Sequence, residues 1–218
     1  SITNIPKQYI EKSDIDLYSK KISEIIKSEV QGVEKSYKDI VYNVQDNKTI
    51  IRNVEILNIK RKKDMVKMIE LEITQYIHIN LDDYIMKYKE IKSYEDKSSI
   101  QVILIPKSTI ELCKQISKNL KSKVRILNVN CDILQKLLSL NLIENFSQSG
   151  IFIECKDIEF ILNIVKDNKV YESHILPRTI HSYESVANSI KDFKDIYYYG
   201  KYDPFVENYL GEVFKVQP

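Results

Sequence analysis

Glycine is scarce in this chain: four residues in 218. Backbone amides approach phosphate through glycine-rich loops, because a side chain at those positions blocks the approach. The sequence therefore holds little material for a phosphate loop. Arginine is equally scarce, occurring only at Arg52, Arg61, Arg125 and Arg178. Readers of nucleic acid concentrate arginine forks on basic faces. Here a net charge of +2 comes from lysines interspersed with acids. The one basic run, residues 60–63, reads as a solvated helix start, so nucleic acid is not an expected partner. Cys113, Cys131 and Cys155 form no CxxC pair. Each sits in an apolar pattern and is expected as a buried thiol in a reducing compartment. No apolar run is long enough to span a bilayer, and no signal-peptide pattern is visible.

What is present reads as a soluble α/β protein. Hydrophobic residues make up 43% and charged residues 29%, an ordinary globular balance. Helical periodicity places Ile15, Tyr18, Ile22, Ile25, Ile26 and Val30 on one face of a helix that stops near Gly32. Strands are expected at 39–44 and 49–57, with a turn at 45–48 between them. A second amphipathic helix covers 62–76, with Met65, Met68, Ile69, Ile73 and Tyr76 as its stripe. A strand at 84–91 is followed by a polar loop at 92–99. A continuous apolar strand at 100–105 ends at Pro106, which opens a helix. A strand at 124–129 and a leucine-rich helix at 131–143 come next. The last third reads as strands at 151–155, 158–166 and 169–176, a helix at 182–193, and strands at 196–199 and 213–216. Asp167 and Asn168 make a two-residue hairpin turn, since both tolerate positive φ. Strands alternating with helices argue for mixed sheets.

Little in this pattern carries catalytic chemistry. His78, His174 and His181 are scattered, without the convergent spacing that a metal needs. Cys155 and His174 would form a nucleophile pair only if neighbouring strands placed them on one face. Asp82 with Asp83, and Asp157 with Glu159, read as solvated turns and strand edges rather than acid–base pairs. Tyr197, Tyr198 and Tyr199 read as a core strand with one exposed ring.

An ordered series of segments stands out along the chain. It begins with Ile51, Arg52, Val54 and Ile56, followed by Glu72, Gln75, Tyr76 and Ile77. Leu81, Asp82, Asp83 and Tyr88 continue it. Then come the apolar strand before Pro106 and Lys107, the Lys166–Val170 turn, Pro177, Gly200 and Gly211. This series resembles the PilM family, the actin-like proteins of type IV pilus assembly, and the resemblance implies an actin-like (ribonuclease-H-like) α/β fold. Its first subdomain would comprise 1–38 and 122–149, an inserted α/β subdomain 39–121, and a reduced second subdomain 150–218.

The departures from that family bear on chemistry. Its early phosphate hairpin has no counterpart here. Where the family shows Asp-Ile-Gly, this chain has Glu154, Cys155 and Lys156. At the adenosine turn Gly200 survives, but the second glycine is Lys201. The helical subdomain inserted before that turn is reduced to residues 178–195. The resemblance thus implies a scaffold with degenerate nucleotide positions, no cofactor, no metal and no enzymatic activity. Such a reduction resembles the cytoplasmic domain of GspL from type II secretion. The family's groove implies partner-binding residues Ile51, Arg52, Val54, Met65, Ile69 and Tyr76. The implied partners are a PilN-like inner-membrane protein, separate or fused, and the hexameric assembly ATPase. The implied location is the cytoplasmic face of the inner membrane. The alternative is an ATP-binding PilM-type protein whose first phosphate hairpin lies outside these residues.

Overall fold

In the computed structural model the described residues are 15–29, 39–44, 48–191 and 193–204, the side chains of residues 130, 180, 181 and 185 excepted. Val30, the expected stop at Gly32, most of the turn at 45–48, Gly211 and the strand at 213–216 lie outside them, as does the side chain of His181. The elements are α1 (Ile15–Glu29), β1 (Asp39–Val44), β2 (Ile50–Leu57), α2 (Lys62–Tyr76), β3 (Tyr84–Ser93), β4 (Lys97–Pro106) and α3 (Lys107–Asn119). They continue with β5 (Lys123–Val129), α4 (Asn130–Ser139), β6 (Gly150–Cys155), β7 (Glu159–Lys166), β8 (Lys169–Pro177), α5 (Ile180–Ile190) and β9 (Ile196–Gly200).

Most expected elements are present. Asp167 and Asn168 adopt φ of 51° and 59°, the left-handed pair that a two-residue hairpin requires. Three expectations need correction. The polar loop at 92–99 is a tight turn, and β4 already starts at Lys97. There Asn58 Nδ2 donates to the Tyr94 and Glu95 carbonyls, and Asn58 Oδ1 accepts from Ser98. A side chain from outside the hairpin thus closes a turn whose own residues look merely polar. The leucine-rich helix ends at Ser139 rather than 143, leaving Leu140 and Leu142 exposed. Ile25, expected inward on α1, is 38% exposed.

The chain divides into two compact units. One takes the described parts of Ser1–Gln45, Asn80–Ile85 and Ile105–Val129. Its parallel pair β1–β5 lies beside α1 and α3, whose core is Ile22, Leu112, Ile116 and Leu120 with Ile40 and Tyr42 packed on it. The Tyr42 hydroxyl meets Ser117 Oγ at 2.8 Å, which satisfies both in a half-buried place.

The other unit takes the described parts of Asp46–Ile79, Met86–Leu104 and Asn130–Pro218. Its main sheet has the order β3-β4-β2-β8-β7-β6-β9. The pairs β6–β7 and β7–β8 are antiparallel, whereas β6–β9 is parallel, with α5 as the crossover. Alternation sends Ile151, Ile153 and Cys155 of β6 and Phe160 and Leu162 of β7 to the face covered by Val186 and Ile190 of α5. Each fully buried Ile, Leu or Phe there contributes about 1.5–3 kcal/mol. On the opposite face the register partners Phe152 and Tyr197 stack with centroids 4.6 Å apart, and Phe146 leans on both. Between β8 and β9 stands α5 and no further described element.

Candidate functional site

Two places in the larger unit gather the expected site residues. The first is the end of β6 and β9. Cys155 pairs with Gly200, and a Cβ at Gly200 would lie 2.3 Å from the Cys155 carbonyl oxygen. Gly200 also has φ +100°. Glycine is required there by strand approach and backbone conformation, without reference to any ligand. The Lys201 N–H donates to the Cys155 carbonyl at 2.8 Å, and the Tyr198 hydroxyl donates to the Lys201 carbonyl at 2.6 Å. The Lys201 ammonium pairs with Asp157.

Three residues that the sequence reading assigned to no site, Asp203, Arg178 and Tyr183, dominate this end. Asp203 is 1% exposed and forms an ion pair with Arg178. Tyr183 donates to the same carboxylate at 2.7 Å. Arg178 also donates to the carbonyls of Lys156 (3.1 Å) and Asp157 (3.3 Å). The Lys156 N–H donates to the Glu159 carbonyl at 2.9 Å, and the Lys156 ammonium stands 3.6 Å from Glu154. At the β6–β7 turn a guanidinium is thus seated on backbone carbonyls. A phosphate nest instead needs free N–H groups converging on an anion, and the Lys156 N–H is already used. The one advance signal was that Arg178 is among only four arginines.

Nucleophilic chemistry is not set up here. Burial pushes the Cys155 thiol up, and the Cys113 and Cys131 thiols rise to about 12 for the same reason. All three cysteines are free and buried, as their apolar settings imply. Cys155 and His174 are not on neighbouring strands, because β7 stands between β6 and β8. His174 Nε2 lies instead 2.9 Å from Glu172 of its own strand. That hydrogen bond is the main cause holding the Glu172 carboxyl below its usual range. Of the three tyrosines of β9, Tyr199 is the exposed one.

The second place is a cleft of about 290 Å³ lined by Arg52, Asn53, Val54 and Glu55 of β2 and by Glu72, Ile73, Tyr76 and Ile77 at the end of α2. Arg52, Val54 and Tyr76 come together here. Ile51 and Ile69 are 4% and 0% exposed and belong to the core. Met65 is half-buried on α2 and is not among the lining residues. Tyr76, last in its stripe, is 68% exposed. Sequence reading missed Asn53, whose Oδ1 is buried without a hydrogen-bond partner. An amide in mid-strand, where β propensity is low, was its signal.

The mixed α/β architecture that the resemblance implies is present, and two solved structures share the fold. The structure described as the PilM-PilN type IV pilus biogenesis complex aligns at TM-score 0.59 and 12% identity, over 86% of this chain and 56% of that one. The cytoplasmic domain of EpsL, an inner membrane component of the type II secretion system of Vibrio cholerae, aligns at 0.53 and 11%, over 85% and 68%. A Bacteroides thetaiotaomicron protein described as having an actin-like ATPase fold aligns at 0.48 and 10%, over 88% and 72%. At such identities the likeness is one of fold, and this chain spans little more than half the PilM chain it matches. No family model matches the chain, and no curated protein matches it either.

Proposed function

We propose that this chain is a non-enzymatic scaffold of a type IV pilus or type II secretion assembly complex. In this reading it works at the cytoplasmic face of the inner membrane and binds no nucleotide. It links a PilN-like membrane protein to the assembly ATPase. Residues 1–38 with 122–149, 39–121 and 150–218 would correspond to the family's first, inserted and reduced second subdomains. Ile51, Arg52, Val54, Met65, Ile69 and Tyr76 would build or line the partner groove, with Ile51 and Ile69 supporting it from the core. Among the described residues no helix is long and apolar enough to cross a membrane, so membrane contact would run through partners or segments outside them.

The observation that carries the reading is the β6–β9 end of a fold shared with PilM and EpsL. Arg178, Asp203, Lys201 and Asp157 answer one another there, where the family's hairpin would offer amides to phosphate. The test is titration calorimetry with Mg-ATP beside an N-terminal peptide of the PilN-like protein encoded nearby. Peptide heat without ATP heat is the expected result. Micromolar ATP binding overturns the non-nucleotide reading. It would also be visible as thermal stabilisation, since a ligand at roughly 1,000 times its Kd adds about 4 kcal/mol.

A further inference from the structure

We infer that the β2 edge from Arg52 to Glu55 is a strand-addition site, and that its occupant is an extended peptide carrying a lysine or arginine beside apolar residues. The inference deepens the partner-binding reading above and rests on it only for the kind of partner.

Geometry comes first. β4 pairs with β2 along its whole length, from Ile50 with Leu104 to Leu57 with Lys97. On the other side β8 pairs with β2 at Ile51 alone. Past that point no described strand is paired with β2 on the β8 side. Successive strand side chains point to opposite faces, so four consecutive residues cannot all send side chains into one cleft. Yet Arg52, Asn53, Val54 and Glu55 all line it. What they share is the backbone edge, and every second residue there turns its N–H and C=O outward. Unpaired edge groups of this kind template an added strand.

Chemistry selects the occupant. The cleft holds two carboxylates, Glu55 and Glu72, against one guanidinium, Arg52. Glu55 has a cation only at 4.0 Å, from Lys97, with both side chains at least half exposed. Arg52 is also drawn to Glu172 outside the cleft. An incoming chain supplies N–H donors to the edge, and its cation answers the carboxylates. Val54, Ile73, Tyr76 and Ile77 receive its apolar residues. A peptide with acidic residues at the same places would meet like charge.

The probe is the acetylated, amidated octapeptide Thr-Val-Lys-Val-Thr-Val-Lys-Thr. Its companions are a version with Glu replacing both Lys and a version with alternate backbone amides N-methylated. Binding is followed on the whole chain by amide chemical shifts and hydrogen exchange. The expected result is shift and protection confined to residues 52–55 and 72–77 with the lysine peptide. Binding should be about tenfold weaker for the glutamate peptide and lost on N-methylation. The double variant E55K/E72K should invert the lysine–glutamate preference while its unperturbed amide spectrum reports an intact fold. Shifts centred elsewhere, indifference to N-methylation, or no inversion in that variant overturn the inference. If the PilN-like peptide binds and E55K/E72K leaves its affinity unchanged, strand addition fails while the scaffold reading stands. If the lysine peptide binds the edge and the PilN-like peptide does not bind, the partner assignment fails and strand addition stands.

Discussion

The β6–β9 end and the β2–α2 cleft belong to one seven-stranded sheet and treat buried polar groups in opposite ways. At the first, buried Asp203 has both Arg178 and Tyr183, and the turn carbonyls have Arg178. At the second, Asn53 Oδ1 is buried without a partner, and β2 is paired with β8 at Ile51 alone. The nucleotide positions that the sequence resemblance implies, Glu154 to Lys156 with Gly200 and Lys201, fall at the first place. Here that place is internally satisfied, and the unmet demand lies at the second. The comparison teaches that two ends of one sheet can differ in how far their buried polar groups are satisfied. Unsatisfied groups locate a site better than the fold name does.

The largest blow to this comparison would come at the closed end. Arg178→Ala leaves the Asp203 carboxylate buried with Tyr183 but no cation, and is expected to cost about 3 kcal/mol, read by urea unfolding. A loss below about 1 kcal/mol would show that the pair is exposed in solution and that the end is not closed. Gly200→Ala comes next. It places a Cβ 2.3 Å from the Cys155 carbonyl at φ +100°, at an expected cost of about 2 kcal/mol. A neutral result would show that β6 and β9 separate freely.

The open cleft should respond with the opposite sign. Asn53→Val removes an unsatisfied acceptor and adds a strand-favouring side chain, so stability should rise by about 1 kcal/mol. A loss of that size would show that Asn53 Oδ1 is satisfied by water. The smallest effect is expected at Glu172. Its depressed pKa makes a contribution that is present above its ordinary value and fades as pH falls through the lowered one. With about a third of the side chain exposed, solvent screening keeps this below about 1 kcal/mol. His174→Ala should return the Glu172 pKa toward the ordinary carboxylate range, followed by side-chain carboxyl NMR titration. An unmoved pKa would assign the depression to Arg52 and Lys166 instead.

Much of the fold was legible because its signals are local. The stripe on α2 gave that helix to the residue, since helical period is a property of neighbours along the chain. Asp167 and Asn168 announced their hairpin, because tolerance of positive φ is a property of the residue itself. The apolar faces of β6 and α5 followed from the same alternation and period. Where reading failed, the deciding partner was distant in sequence. The turn after β3 is closed by Asn58, 36 residues upstream of Tyr94. Arg178 finds Asp203 25 residues on, past a helix and a strand.

The candidate site divides in the same way. Arg52, Val54 and Tyr76 reached the cleft, but Ile51 and Ile69 point into the core, and nothing local separates an apolar residue of the core from one of a groove. Composition alone determined that glycine and arginine are scarce, and periodicity alone determined the helices and strands. Only tertiary structure decided that Gly200 serves a strand contact, that Arg178 closes the turn, and that β8 leaves the β2 edge open at Arg52. Each depends on which strands meet and where they part. That is set by packing across the whole sheet, and no window of neighbouring residues encodes it.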